Sequence, residues 1–109
     1  MAISGYRIMW VMVIFDLPVT TREYRRAYQE FRGLLLDEGF WQLQYSVYAR
    51  VAFNEERADT LKRKIEHAVP TRGHVRIMMF TDKQWSRTEV FFGKKRISVE
   101  DPPEQLSFF

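Results

Sequence analysis

The residues best suited to chemistry are one aspartate and three arginines. Asp16 follows the apolar run Val13-Ile14-Phe15 and precedes Leu17-Pro18, and Arg22, Arg25 and Arg26 come soon after it. A carboxylate in that place has two readings. It can accept backbone N–H groups and start the turn before Pro18, or it can ligate a divalent cation. Mg2+ takes six oxygen ligands, commonly one or two carboxylates completed by water and phosphate. One Asp16 per chain therefore serves only if a two-fold axis brings two copies together. A cation shared by that pair would polarise a phosphodiester oxygen and acidify a bound water for in-line attack. Without it the two carboxylates would repel, and one would tend to stay protonated.

Arg22, Arg25 and Arg26 suit phosphate, because a guanidinium meets phosphate in bidentate fashion. They read equally well as a solvated helix face paired with Glu23 and Glu30. Lys62, Arg63 and Lys64, then Lys94, Lys95 and Arg96, are two further basic runs, each either a phosphate contact or a solvated surface. Other chemistries have little support. The chain has no cysteine, so there is no disulfide frame, zinc-thiolate centre or thiol nucleophile, and a reducing cytoplasm is the expected compartment. His67 and His74 stand alone and read as surface residues. Ser46 lacks the surroundings of a hydrolase nucleophile, and no phosphate-cradling glycine motif occurs.

The chain must place these groups with 109 residues, of which 46% are apolar and 16% aromatic. That is one packed domain. The longest apolar run, Ile8 to Phe15, is too short to span a bilayer, and the N-terminus "MAISGYR" has no signal-peptide pattern. The formal charge of +3 is unevenly spread: residues 54–96 carry 11 basic against 6 acidic side chains, and residues 97–109 carry 3 acidic and no basic ones. A basic body with an acidic tail points to a polyanion partner. No base-reading helix or pair of RNA-stacking aromatics is evident, so binding by backbone and shape is expected.

Tyr6 to Phe15 reads as a central strand covered on both faces. Thr20 to Glu23 matches a capping box, and Tyr24, Tyr28, Phe31 and Leu35 then mark one helix face, closed by Gly39. From Phe40 to Phe53 the pattern alternates, with Trp41, Leu43, Tyr45, Val47, Ala49, Val51 and Phe53 on one face. Fourteen residues are long for one strand, so a bend or bulge near Ser46 is expected, splitting it in two. Asn54 caps a second helix with Ala58, Leu61, Ile65 and Ala68 inward. Val75 to Phe80 is a buried strand, and Thr88 to Phe92 a short one.

The order is βαββαβ, the ferredoxin-like α+β arrangement over residues 1–92, with an additional C-terminal strand near Val90 and a tail over residues 93–109. Both helices then cover one sheet face. The apolar runs "VMVIF" and "IMMF" serve both faces, so a homodimer is expected to cover the second, with the extra strand adding to the partner's sheet.

The apolar strand ending in "FDLP", the helix start "TTREYRR" and the later "LQYSVYAR" together resemble the CRISPR-associated protein two family, from Tyr6 to about Phe92. The tail "PPEQLSFF" is similar to members from type II systems. The resemblance implies a ferredoxin-like homodimer in which Asp16 and its mate hold Mg2+ or Mn2+. It also implies an endonuclease acting on RNA or double-stranded DNA, and an adaptor bridging two dimers of the CRISPR integrase during spacer acquisition. Phe15 stands where many members have tyrosine, and Gln42 where some have a basic residue. Leu106, Phe108 and Phe109, on a proline-broken acidic tail, are the expected integrase contact. A toxin-like ribonuclease related to virulence-associated protein D is the alternative, since it shares this fold.

Overall fold

The computed structural model describes residues 7–102. Strand β1 (Met9–Asp16) is almost wholly apolar and lies at the centre of a four-stranded antiparallel sheet ordered β2-β3-β1-β4. Its side chains alternate between two hydrophobic clusters. Met9, Val11, Val13 and Phe15 enter a core beneath the helices, while Trp10 packs in a second cluster on the opposite face. A strand buried on both faces needs little polar alternation, as the sequence indicated.

Helix α1 (Arg22–Asp37) buries Phe31 and Leu35. Its cap lies one residue later than the Thr20–Glu23 pattern suggested. Thr21 accepts from the Tyr24 amide, so the third helical position is a tyrosine and no capping box forms. Glu23 still lies in the first turn, where its charge complements the helix dipole. At the other end Gly39 takes a φ of +88°, and a Cβ there would sit 3.2 Å from the Arg50 guanidinium. That guanidinium donates to the Glu38 carbonyl and ties the end of α1 to the sheet.

The alternating segment is a strand pair. Strand β2 (Trp41–Gln44) turns through Tyr45 and Ser46 into β3 (Val47–Ala52), and the two pair antiparallel with an irregular register between Gln42 and Gln44. The expected break at Ser46 is a reversal of direction, which its φ of +58° allows. Trp41, Leu43, Ala49 and Val51 keep a common face, in the second cluster. Tyr45 leaves that face for the turn. Tyr48 goes into the main core, where its hydroxyl accepts from Arg32 Nε at 2.7 Å.

Helix α2 (Glu55–Glu66) is capped by Asn54, which accepts from the Arg57 amide, and it buries Ala58, Leu61 and Ile65 as its spacing indicated. Strand β4 (His74–Thr81) completes the sheet beside β1. Two elements were not expected. Helix α3 (Asp82–Ser86) has a true capping box between Thr81 and Gln84, but five residues are too few to show a period. Strand β6 (Lys95–Ile97) folds back on β5 (Val90–Phe92) to form a hairpin separate from the main sheet. The radius of gyration, 15.3 Å, exceeds the roughly 13 Å of a compact chain this long.

Helices α1 and α2 cover one sheet face. On the other, α3 covers the part around Trp10 with the chain's own Trp85, which stacks on Trp10 at 4.3 Å and 6°. Trp10 and Trp85 donate their indole N–H groups to the Asp82 carboxylate and the Glu100 carbonyl. The second face is thus covered partly from within. Toward Asp16 that face presents Met12 and Ile14, each only partly buried. No helix among the described residues is long and apolar enough to cross a membrane.

Candidate functional site

Asp16 ends β1, pairs in register with His74 of β4, and is exposed. Strand parity decides where it faces. Val13 and Phe15 enter the helix-side core, so Asp16 shares the opposite face with Met12 and Ile14. The carboxylate therefore lies on the sheet face that the helices leave open, at its uncovered end.

Three segments converge on this strand end. The first is the β2–β3 turn, whose Ser46 carbonyl accepts from the Phe15 amide at 3.1 Å. This bond brings "QYSV" beside Asp16, so two sequence patterns separated by some thirty positions form one place. The second is Tyr28 of α1, whose ring meets Phe15 edge-on at 5.6 Å. The Tyr45 phenol is raised above its ordinary value of 10.0, first by the charge and the hydroxyl of the neighbouring Tyr28, then by slight desolvation and the nearby Asp16. It keeps its proton throughout the neutral range. The third segment is the approach to β4. Gly73 has a φ of +92°, and a Cβ there would lie 2.5 Å from the Asp16 carbonyl and 2.9 Å from the Leu17 side chain. Only glycine lets the two backbones close to this distance.

The sequence reading missed these neighbours. The sequence pattern gives Gly73 no part in the site and takes Tyr45 as one member of a strand face. No periodicity marks a turn residue, and a close backbone approach leaves no trace in sequence except the glycine itself.

The arginines lie at the start of α1, just beyond the Leu17–Thr21 turn, and all three are exposed. Arg25 donates to the Val19 carbonyl and Arg26 pairs with Glu30 at 3.1 Å, the solvated helix-face arrangement weighed above. An exposed pair of this kind holds its cation loosely. Lys62 and Lys64 are elsewhere on α2, in ion pairs with Glu66 and Glu38. Lys64 lines an open cleft of about 960 Å³ with Val51 and Ala52. Those residues pair with Trp10 and Met9, so the cleft flanks the far end of β1 from Asp16. His67 and His74 are exposed, as expected. Leu106, Phe108 and Phe109 lie outside the described residues.

Among the described residues no group of three or more His, Cys, Asp or Glu is arranged to hold a metal ion. One chain offers the Asp16 carboxylate. Its exposure on the open face fits half of a site shared between two copies, and does not fit a site closed within one.

The profile of the family described as CRISPR associated protein Cas2 matches residues 9–88, from the start of β1 to just beyond α3. The chain is 45% identical over 107 residues to a protein of Paracidovorax avenae named CRISPR-associated endoribonuclease Cas2, covering 98% of this chain and 99% of that one. It is 39% identical over 107 residues to the protein of the same name from Flavobacterium psychrophilum, covering 98% and 93%. It is 43% identical over 101 residues to that of Parvibaculum lavamentivorans, covering 93% and 100%. The sheet with its central aspartate-ended strand and the full-length match agree: the chain belongs to the CRISPR-associated Cas2 family.

Proposed function

We propose that the protein acts in CRISPR adaptation as a homodimer that binds duplex DNA and bridges two integrase dimers. We further propose that it carries a metal-dependent endonuclease centre built from two Asp16 carboxylates. The observation that carries this reading is the position of Asp16: exposed, at the end of the central strand, on the face the helices leave open. A second copy packed on that face would cover Met12 and Ile14 and bring its own Asp16 near. The β5–β6 hairpin, with Phe91 and Phe92 exposed, is available to add to the partner's β4 edge.

In this reading Asp16 and its mate hold Mg2+ or Mn2+, which when bound supplies charge neutralisation on a phosphodiester and a more acidic water. The chain's own groups do the rest. Arg22, Arg25 and Arg26 grip the flanking phosphates, and Gly73 and the Ser46 carbonyl fix the backbone that carries Asp16. The relatives named endoribonuclease support nuclease activity in general. The family placement favours the CRISPR role over the toxin-like ribonuclease. Lys62 and Lys64 extend the basic surface for duplex backbone, and Leu106, Phe108 and Phe109 dock the integrase. The work is done in the cytoplasm, and bridging rather than cleavage is the cellular role.

Asp16→Asn separates the two activities. Cleavage of RNA and of double-stranded DNA in Mg2+ is expected to vanish while the dimer, its DNA binding and spacer acquisition in cells persist. Metal-dependent cleavage surviving in the purified variant would remove Asp16 from the centre. Loss of spacer acquisition with the dimer intact would make cleavage part of the cellular role.

A further inference from the structure

Tyr45 has no assigned part in the chemistry, yet it is the most conspicuous side chain beside Asp16. It is 79% exposed, unusual for so large a ring, and it stands at the tip of the β2–β3 turn. Its backbone is also held in place. Ser46, the next residue, has a positive φ, a conformation that costs a non-glycine residue energy and persists only when its surroundings impose it. The Ser46 carbonyl is pinned by the Phe15 amide. Tyr28, seated against Phe15, is close enough to act on the Tyr45 phenol. A turn tip of this kind usually wanders. This one is fixed at its backbone, which places the exposed ring beside the strand end at reduced cost in entropy.

Such a ring at the strand end of Asp16 supplies an aromatic platform, and the arginines that open α1 beyond the Leu17–Thr21 turn supply cations for the backbone, the two parts of a site for unpaired nucleotides. We propose that Tyr45 is a base-stacking residue that seats an unpaired nucleobase next to the phosphodiester presented to Asp16. The inference rests on the endonuclease reading above for the position of that phosphodiester. Stacking on Tyr45 requires a base out of its duplex, so the ring adds to the binding of single strands and frayed ends, and adds nothing where a paired helix is bound by its backbone. The Tyr45 hydroxyl does not itself contact the reacting atoms.

The test measures binding rather than cleavage, in the full-length Asp16→Asn protein with Mg2+. A single-stranded RNA and a DNA of the same sequence carry 2-aminopurine at each position in turn, and a fully paired duplex serves for comparison. Stacking is expected to quench the fluorophore at one position, and Tyr45→Ala is expected to abolish that quenching and weaken single-strand binding by about 5- to 150-fold. Tyr45→Phe keeps the ring and should retain most of both. Duplex binding should change less than twofold in either variant. Quenching that survives in Tyr45→Ala, or equal weakening of duplex and single strand, overturns the proposal. Because Asp16 is already replaced, these outcomes are independent of whether the protein cuts. A failure of Asp16-dependent cleavage would strike the endonuclease reading alone. The side chain is exposed, so Tyr45→Ala should fold, and an unchanged denaturation midpoint checks this.

Discussion

Replacing Gly73 by alanine should disturb Asp16 without touching it. The added Cβ would lie 2.5 Å from the Asp16 carbonyl oxygen and 2.9 Å from Leu17 Cδ2. Carbon and oxygen do not approach closer than 3.0 Å, so the Asp16 backbone must retreat by at least about half an ångström. Alanine at a φ of +92° adds about 1–2 kcal/mol of backbone strain, and the forced displacement about 1–3 kcal/mol. The expected loss is about 2–5 kcal/mol, a large share of a small domain's stability. A shift of half an ångström at the carboxylate should also lower kcat/KM for Asp16-dependent cleavage about tenfold. Urea denaturation followed by circular dichroism measures the first quantity, and cleavage under conditions where the variant is folded measures the second. Gly33→Ala is the control: mid-helix in α1 with no atom near the added Cβ, it should gain about 1 kcal/mol. A Gly73→Ala protein within about 0.5 kcal/mol of the parent, or one that is destabilised but cuts at the parent rate when folded, would refute the close approach as the device that positions Asp16.

Trp85→Ala should cost about 3–5 kcal/mol in urea denaturation, because Trp85 is 4% exposed and covers Trp10; a loss below about 1 kcal/mol would mean that the second cluster contributes little. Met12→Asp, on the helix-free sheet face four residues before Asp16 and at the edge of the tryptophan cluster, should convert a dimer to a monomer in light scattering after gel filtration, and a dimer that persists would place the interface elsewhere. Arg26→Ala should change stability by no more than about 0.5 kcal/mol. It should also reduce the slope of log binding constant against log salt for duplex DNA by about one, and an unchanged slope would remove Arg26 from the DNA contacts.

Much of the fold was legible because its signals are local and repeated. The cap at Asn54, the inward face of α2 and the doubly apolar run of β1 each follow from neighbouring residues in the chain. The run also indicated a second layer on the far face. The source expected for that layer is a second copy, whereas part of it is the chain's own Trp85, carried by a helix too short to announce itself. The site divides in the same way. Asp16 was visible as a charge interrupting an apolar strand. The contacts that hold it come from positions 46 and 73, whose relevance depends on strand register and on the turn of a hairpin. No side-chain period reports on either.

The stacked pair of Trp10 and Trp85 gives the molecule a built-in optical gauge. Indoles 4.3 Å apart and 6° from parallel have coupled transitions, and this coupling exists only while α3 lies flat on the sheet. Trp85 also donates to the carbonyl of Glu100, at the root of the acidic tail. A partner that pulled the tail aside would change the polarity around that indole. The tail's engagement is therefore expected to register in the tryptophan spectrum of the unlabelled protein, and release of α3 would erase the coupling altogether.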